Sequence, residues 1–271
     1  MNHPESLSAL WTMPDVQSAP DHRELAIDQV GIRGLRYPLP IADRDGIQTT
    51  IADCSVFVAL PADRKGAHMS RLVALLEARV IPGAAPIGVT TLRDMLDTLV
   101  VRLDAPGGRL ELAFPFFVRK SAPVSGIASF LDYQAKLIGE LNRGRYAQTM
   151  SVAVPVTSLC PSSKEISAYG ANNQRSIITI AARTREPLFL ADLLRVAEEE
   201  ASSELFGILK RADEKFVTER AYDNPRFVED LVRGVAARLD ADPRLEGFVV
   251  EAENFESIHN HSAYAKIARG F

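Results

Sequence analysis

The sequence predicts an α+β protein built from two tandem β-β-α-α-β-β modules, residues 23–143 and 144–271, behind a flexible N-terminal tail of residues 1–22. Three observations predict it. Two strand-like runs meet at Asp43-Arg44-Asp45-Gly46, whose Asp-Gly ending is a hairpin turn signal. Two successive segments then repeat apolar residues at helical spacing. The same element order returns in the second half with a period of roughly 120 residues, although no residue-level repeat accompanies it.

The elements are read in order. Residues 1–22 mix Pro, Ser, Asp and His without periodicity, so only Trp11 offers a docking group there. Strands are expected over 27–38 and 48–60, and helices over 68–80 and 91–103. The second helix places Leu92, Met95, Leu96, Leu99, Val100 and Leu103 on one stripe, with Thr91 and Asp94 resembling a capping pair. Asp104-Ala105-Pro106-Gly107-Gly108 breaks the pattern before strands at 109–118 and 127–138. The second half reads as strands at 149–157 and 176–182, helices at 190–210 and 225–239, and strands at 248–253 and 261–268. Asn224-Pro225 is read as an N-cap followed by proline at the first helical position.

Composition excludes several classes. With 271 residues, 46% of them hydrophobic, the chain can bury a large core, so a metal is not needed merely to fold. A net charge of −4 and the lack of a basic stripe argue against a nucleic-acid partner. No apolar run approaches the roughly 20 residues of a membrane span and no apolar signal core opens the chain, so a cytoplasmic location away from the membrane is expected.

Of the two cysteines, Cys54 lies in the apolar run Cys54-Ser55-Val56-Phe57-Val58-Ala59-Leu60 and reads as a packed hydrophobe. Cys160 follows a strand and precedes Pro161, a strand-end position where loops carry function, with Lys164 near enough to favour thiolate. His259 and His261 are two apart, so on an extended strand both rings face one side, and Glu256 lies just upstream. Cysteine, histidine and glutamate together suit zinc, with manganese or iron possible where carboxylate contributes. Against this, no C-x-x-C or H-E-x-x-H spacing is present, and a hydrogen-bonded polar strand end is the plain alternative. Glu214 and Glu219 fall in a charged stretch between helices, and Glu229 stands off its helix's apolar stripe; solvated carboxylates are the default reading of all three. His68 and Arg71 open a helix that could hold an anion, or they are ordinary surface groups. No G-x-S-x-G elbow occurs, which disfavours a serine hydrolase.

Five blocks resemble the type IB GTP cyclohydrolases. They are Gly66-Ala67-His68-Met69-Ser70-Arg71, Pro155-Val156-Thr157-Ser158-Leu159-Cys160-Pro161-Ser162-Ser163-Lys164-Glu165, Asp213-Glu214-Lys215-Phe216-Val217-Thr218-Glu219, Asn224-Pro225-Arg226-Phe227-Val228-Glu229-Asp230, and Glu253-Asn254-Phe255-Glu256-Ser257-Ile258-His259-Asn260-His261. The resemblance implies a bimodular tunnelling fold, with antiparallel sheets assembling into barrels, usually in a homotetramer with sites between subunits. It implies a hydrolase acting on a cyclic amidine, converting GTP and water to 7,8-dihydroneopterin triphosphate and formate at the entry to tetrahydrofolate and, in many bacteria, queuosine. Zinc, manganese or iron is implied, and no organic cofactor. Cys160, Glu214 and His259 are implied at or beside the metal, with Cys160, His259 and Glu229 catalytic and Glu256 anchoring the purine edge. Lys164, Arg175, His68 and Arg71 are candidates for the triphosphate.

One position departs from the family pattern. Where members carry a metal-ligating histidine, this chain has Asn172, within Gly170-Ala171-Asn172-Asn173-Gln174-Arg175-Ser176, and an amide oxygen is a weak zinc ligand. Weaker metal binding, a harder ion or loss of activity is expected from that change. Two other readings stand beside the cyclohydrolase: a nitrile reductase of the same fold using Cys160 as a covalent nucleophile with NADPH, and a non-catalytic purine-binding homologue.

Overall fold

A computed structural model describes residues 15–88 and 90–271. The expected tail over residues 1–22 falls largely outside the described residues, as does Trp11. From Asp15 onward the chain lies against the following segment: Gln17 Nε2 donates to Ala67 O at 3.2 Å, and Pro20 forms a bridge with Arg64.

The long strands are β1 (Ile27–Asp43), β2 (Gly46–Leu60), β3 (Gly107–Ser121), β4 (Ala128–Asn142), β5 (Arg145–Leu159), β6 (Asn173–Thr184), β8 (Leu245–Asn254) and β9 (Ala263–Arg269), with a two-residue β7 (Ser203–Glu204). The helices are α1 (Met69–Glu77), α2 (Thr91–Leu103), α3 (Pro161–Ile166), α4 (Leu190–Glu200), α5 (Arg211–Asp223) and α6 (Val228–Asp240).

The tandem tunnelling-fold modules expected from the sequence are not what the chain builds. All nine strands form one antiparallel sheet in the order β1-β2-β3-β4-β5-β6-β8-β9, with β7 beside β5. The physical reason lies at the midpoint. Arg143 (φ 47°) and Gly144 (φ 79°) both adopt left-handed backbone, the two-residue turn whose twist suits a tight hairpin. That turn forces β4 and β5 to pair from Asn142↔Arg145 to Gln134↔Ala153, fusing the two halves into one sheet.

One side of the sheet is buried throughout. Leu110, Leu112, Phe114 and Phe116 of β3 share it with Val152, Val154 and Val156 of β5 and Ile178 and Ile180 of β6. Helices cover that side: α2 packs on β3 and β4, α4 on β5, and α6 on β8 and β9, giving one continuous apolar core. Each fully buried Val, Leu or Ile contributes about 1.5–3 kcal/mol. The opposite side is polar, and there Arg109 and Lys136 both reach Glu111 at 2.7 Å.

Three local expectations are corrected. The helix read over 190–210 ends at Glu200, and the charged stretch at 213–219 is helix α5, which has no apolar stripe to reveal it; Asp213 announces its start by accepting from Lys210 N at 2.9 Å. α6 begins at Val228, after Asn224, because Asp230 accepts from Phe227 N at 2.9 Å, while Asn224 ends α5 and donates to Ala201 O at 2.8 Å. Thr91 makes no capping bond with its helix; its hydroxyl donates to Pro86 O at 3.1 Å.

Candidate active site

Strand β5 ends under tight control. Leu159 N donates to Ser202 Oγ at 3.0 Å, Leu159 O accepts from Arg226 N at 2.9 Å, and Leu159 pairs with Asn173 of β6. Cys160 follows, half-buried, and Pro161 starts α3, where its missing N–H is not needed. Cys160 N donates to Asn172 O at 3.0 Å, and its carbonyl accepts from Lys164 N and Ser163 Oγ, both at 3.2 Å. The sulfur accepts from Ser163 N at 3.5 Å.

Asn172 adjoins it. Its N–H donates to Ser163 Oγ at 3.0 Å, while its side-chain oxygen is buried and has no hydrogen-bond partner among the described residues. Leaving such an acceptor unpaired costs about 1–3 kcal/mol. Below lies a buried polar group that sequence reading missed. The Ser158 and Ser176 hydroxyls are 2.7 Å apart, and Gln174 Nε2 donates to Ser158 Oγ at 2.9 Å. The amide oxygens of Gln174 and Asn254 likewise have no partner among the described residues. The signal was available, because Ser158 continues the buried phase of Val152, Val154 and Val156, and Gln174 and Ser176 precede Ile178 and Ile180 in theirs.

Other candidates share this strand end. Lys164 Nζ donates to Tyr222 O at 2.5 Å and lies 4.3 Å from the Tyr222 ring centroid. Arg175 is exposed, and its carbonyl accepts from Phe255 N at 3.1 Å, which fixes the start of the β8–β9 loop. That loop carries Glu256, half-buried, and the exposed His259 and His261, whose rings stack at 5.3 Å with a 13° interplanar angle. The strand expected to begin at 261 begins at Ala263, so loop geometry rather than the pleat pairs the rings. Two strand spacings, about 10 Å, separate β5 from β8. Glu229 is exposed in the first turn of α6, brought to the same end by the Arg226 bond to Leu159.

Glu214 is exposed at the start of α5, about 12 Å along the helix from the Tyr222 that holds Lys164. Its neighbour Asp213 is the buried acid, accepting from Val124 N and Ser125 N at 2.8 Å and Ser125 Oγ at 2.7 Å. Burial alone would raise the Asp213 pKa. The bonds from the Ser125 hydroxyl and then from the backbone N–H groups of Ser125, Lys210 and Val124 outweigh it, holding the carboxyl well below the usual range.

His68 and Arg71 are not brought to Cys160. By register, the C-terminal end of β2 lies level with the start of β3, the end of β4 and the start of β5, whereas Cys160 follows the other end of β5. His68 Nε2 sits 3.0 Å from Asp15 Oδ2, and Arg71 Nη1 donates to Arg102 O at 3.2 Å. Together with Arg64 and Arg102 they line a cavity of about 310 Å³.

Among the described residues, no three of His, Cys, Asp and Glu gather closely enough to hold a metal ion. Cys160 and Asn172 are joined through the backbone bond from Cys160 N to Asn172 O, and Cys160, Glu214 and His259 are not gathered into one such group among the described residues. No helix among the described residues is long and apolar enough to cross a membrane.

A family model described as type I GTP cyclohydrolase FolE2 matches residues 13–265. The chain belongs to this family. It is 56% identical over 256 residues to the GTP cyclohydrolase FolE2 of Thiobacillus denitrificans (strain ATCC 25259 / T1), covering 94% of each chain. It is 54% identical over 264 residues to that of Paraburkholderia xenovorans (strain LB400), covering 97% of each. Among solved structures it is similar to uricase from Arthrobacter globiformis, with a TM-score of 0.45 and 12% identity over 89% of this chain and 92% of that one. A Bacillus sp. TB-90 urate oxidase mutant aligns with a TM-score of 0.47 and 11% identity, over 90% of this chain and 99% of that one. The FolE2 relatives do not favour the nitrile reductase or the non-catalytic reading.

Proposed function

We infer that the chain is a GTP cyclohydrolase that converts GTP and water to 7,8-dihydroneopterin triphosphate and formate, as the first step of tetrahydrofolate synthesis. The observation that carries this is the family match across residues 13–265. The cluster at the end of β5 supplies the chemistry, in the following reading.

Cys160 and Asn172 are the chain's first two donors for a divalent cation, with Glu214 and His259 completing the set in the assembled protein. A bound zinc, manganese or iron ion would lower the pKa of a water molecule, so that hydroxide is available near neutral pH for attack at purine C8. Ser163 N–H holds the Cys160 sulfur in its accepting orientation. Glu256 accepts the guanine N–H groups through charge-assisted bonds. His259 and Glu229 move protons to and from the opening ring. Lys164 and Arg175 present positive charge to the triphosphate beside the same strand end.

His68 and Arg71 lie at the far end of the strands, so they serve a triphosphate only where a second copy brings its own Cys160 end to them. That separation supports a homo-oligomer, in our reading a tetramer, with sites between subunits.

The test is turnover of GTP by the chain supplied with zinc, manganese or iron, read as formate and a fluorescent pterin. Formate release supports the assignment. NADPH oxidation with a nitrile substrate, or GTP binding without formate release under every metal, would overturn it.

A further inference from the structure

We propose that Lys120 is a positioning residue for Cys160, acting through the link from α4 to β7. Lys120 lies near the end of β3 on the helix-covered side, with its side chain only 8% exposed. A buried ammonium is costly unless fully paired, and here it is. Its Nζ lies 2.7 Å from Glu198 Oε1 in the last turn of α4 and 2.6 Å from Glu204 Oε2 in β7, and 4.8 Å from the Phe206 ring centroid.

The two carboxylates stand at the two ends of one short link. Glu198 also accepts from Tyr133 OH of β4 at 2.6 Å, and Glu204 has Arg220 of α5 at 3.6 Å. Burial, then the neighbouring Glu198, pushes the Tyr133 hydroxyl far above its ordinary pKa, so it remains a donor. One ammonium thus pins both ends of the segment between them.

That segment is what aligns the end of β5. Ser202 N donates to Thr157 O at 3.1 Å, Ser203 and Glu204 pair with Thr157 and Val156, and Ser202 Oγ accepts from Leu159 N at 3.0 Å. Leu159 is the residue before Cys160. No direct contact between Lys120 and Cys160 is needed: the ion cluster fixes the link, the link fixes Leu159, and Leu159 sets the thiol's place.

The inference rests on Cys160 being the chemistry-bearing thiol, but its test does not require GTP. The measurement is the rate of alkylation of Cys160 by iodoacetamide in the full chain, read on the labelled peptide. In Lys120→Met, Glu198 and Glu204 lose their shared cation, which leaves Glu198 with the Tyr133 hydroxyl and Glu204 with Arg220 as polar partners among the described residues. The link should loosen, and the alkylation rate should rise about tenfold over the parent at pH 8, the size of a modest local opening. Turnover should show kcat reduced with KM retained. A variant that only loses thermal stability, with its alkylation rate equal to the parent's, would overturn the proposal. Should Lys120→Met fail to fold, Ser202→Ala removes the acceptor of the Leu159 N–H without touching the ions; it should raise alkylation similarly, and an unchanged rate there would equally overturn it. If GTP turnover is absent while these alkylation shifts appear, the positioning stands and the assignment of the chemistry falls.

Discussion

The middle of β2 and the end of β5 each carry one cysteine, and the two behave oppositely. Cys54 is fully buried, its sulfur donates toward Ala52 O at 3.6 Å, and burial, then Asp53, pushes its thiol up to about 12. Cys160 is half-buried and its sulfur accepts a backbone N–H. Both follow apolar alternation, so residue type and local composition do not separate them. What separates them is position: a strand's interior satisfies its backbone within the sheet, whereas a strand's end must recruit partners from elsewhere in the chain. Ser202, Arg226, Asn172 and Ser163 all converge at the end of β5 for that reason.

The contrast can be sharpened by substitution. In the proposed reading His259 carries protons at the Cys160 end, so His259→Asn should lower kcat about 10²-fold while leaving the melting curve in place; an unchanged kcat would remove the β8–β9 loop from the chemistry. Asn172→His replaces the unpaired amide oxygen with imidazole and should tighten zinc binding about tenfold, read by competition with a chromophoric chelator. Equal affinity in both chains would mean that Asn172 is not a ligand.

The Asp213 carboxyl offers a pH test of how the cluster's far flank is held. Its folded pKa lies below the unfolded one, so its contribution to stability is full above the ordinary carboxylate value of about 3.9 and is lost as pH falls through the folded value. Asp213→Asn should therefore melt below the parent at pH 7, and the gap should close on acidification below about pH 4. A gap constant with pH would contradict the charged role. At the other cysteine, Cys54→Ala should cost about 1 kcal/mol in denaturant melts, a small cavity, and leave formate release unchanged.

Much of this was legible in the sequence because local signals sufficed. The Asp-Gly hairpin, the apolar stripes of α1 and α2, and the strand-end place of Cys160 each depend on residues within one or two turns of chain. What was not legible depended on distant partners or on a missing stripe. Helix α5 is polar on nearly all sides, so periodicity had nothing to detect, and only Asp213 three residues into the helix marked it. The single sheet turned on Arg143-Gly144, a turn whose left-handed arginine is not a usual signal. The polar group of Ser158, Gln174, Ser176 and Asn254 becomes meaningful only once β5, β6 and β8 are known to be neighbours.

Formate release by Cys160→Ala, measured beside the parent chain at equal concentration with the same metal, bears most directly on the strand-end thiol. The expected result is a folded protein whose turnover is lower by at least about 10³-fold. Turnover equal to the parent's would contradict it and return Cys160 to the same standing as Cys54.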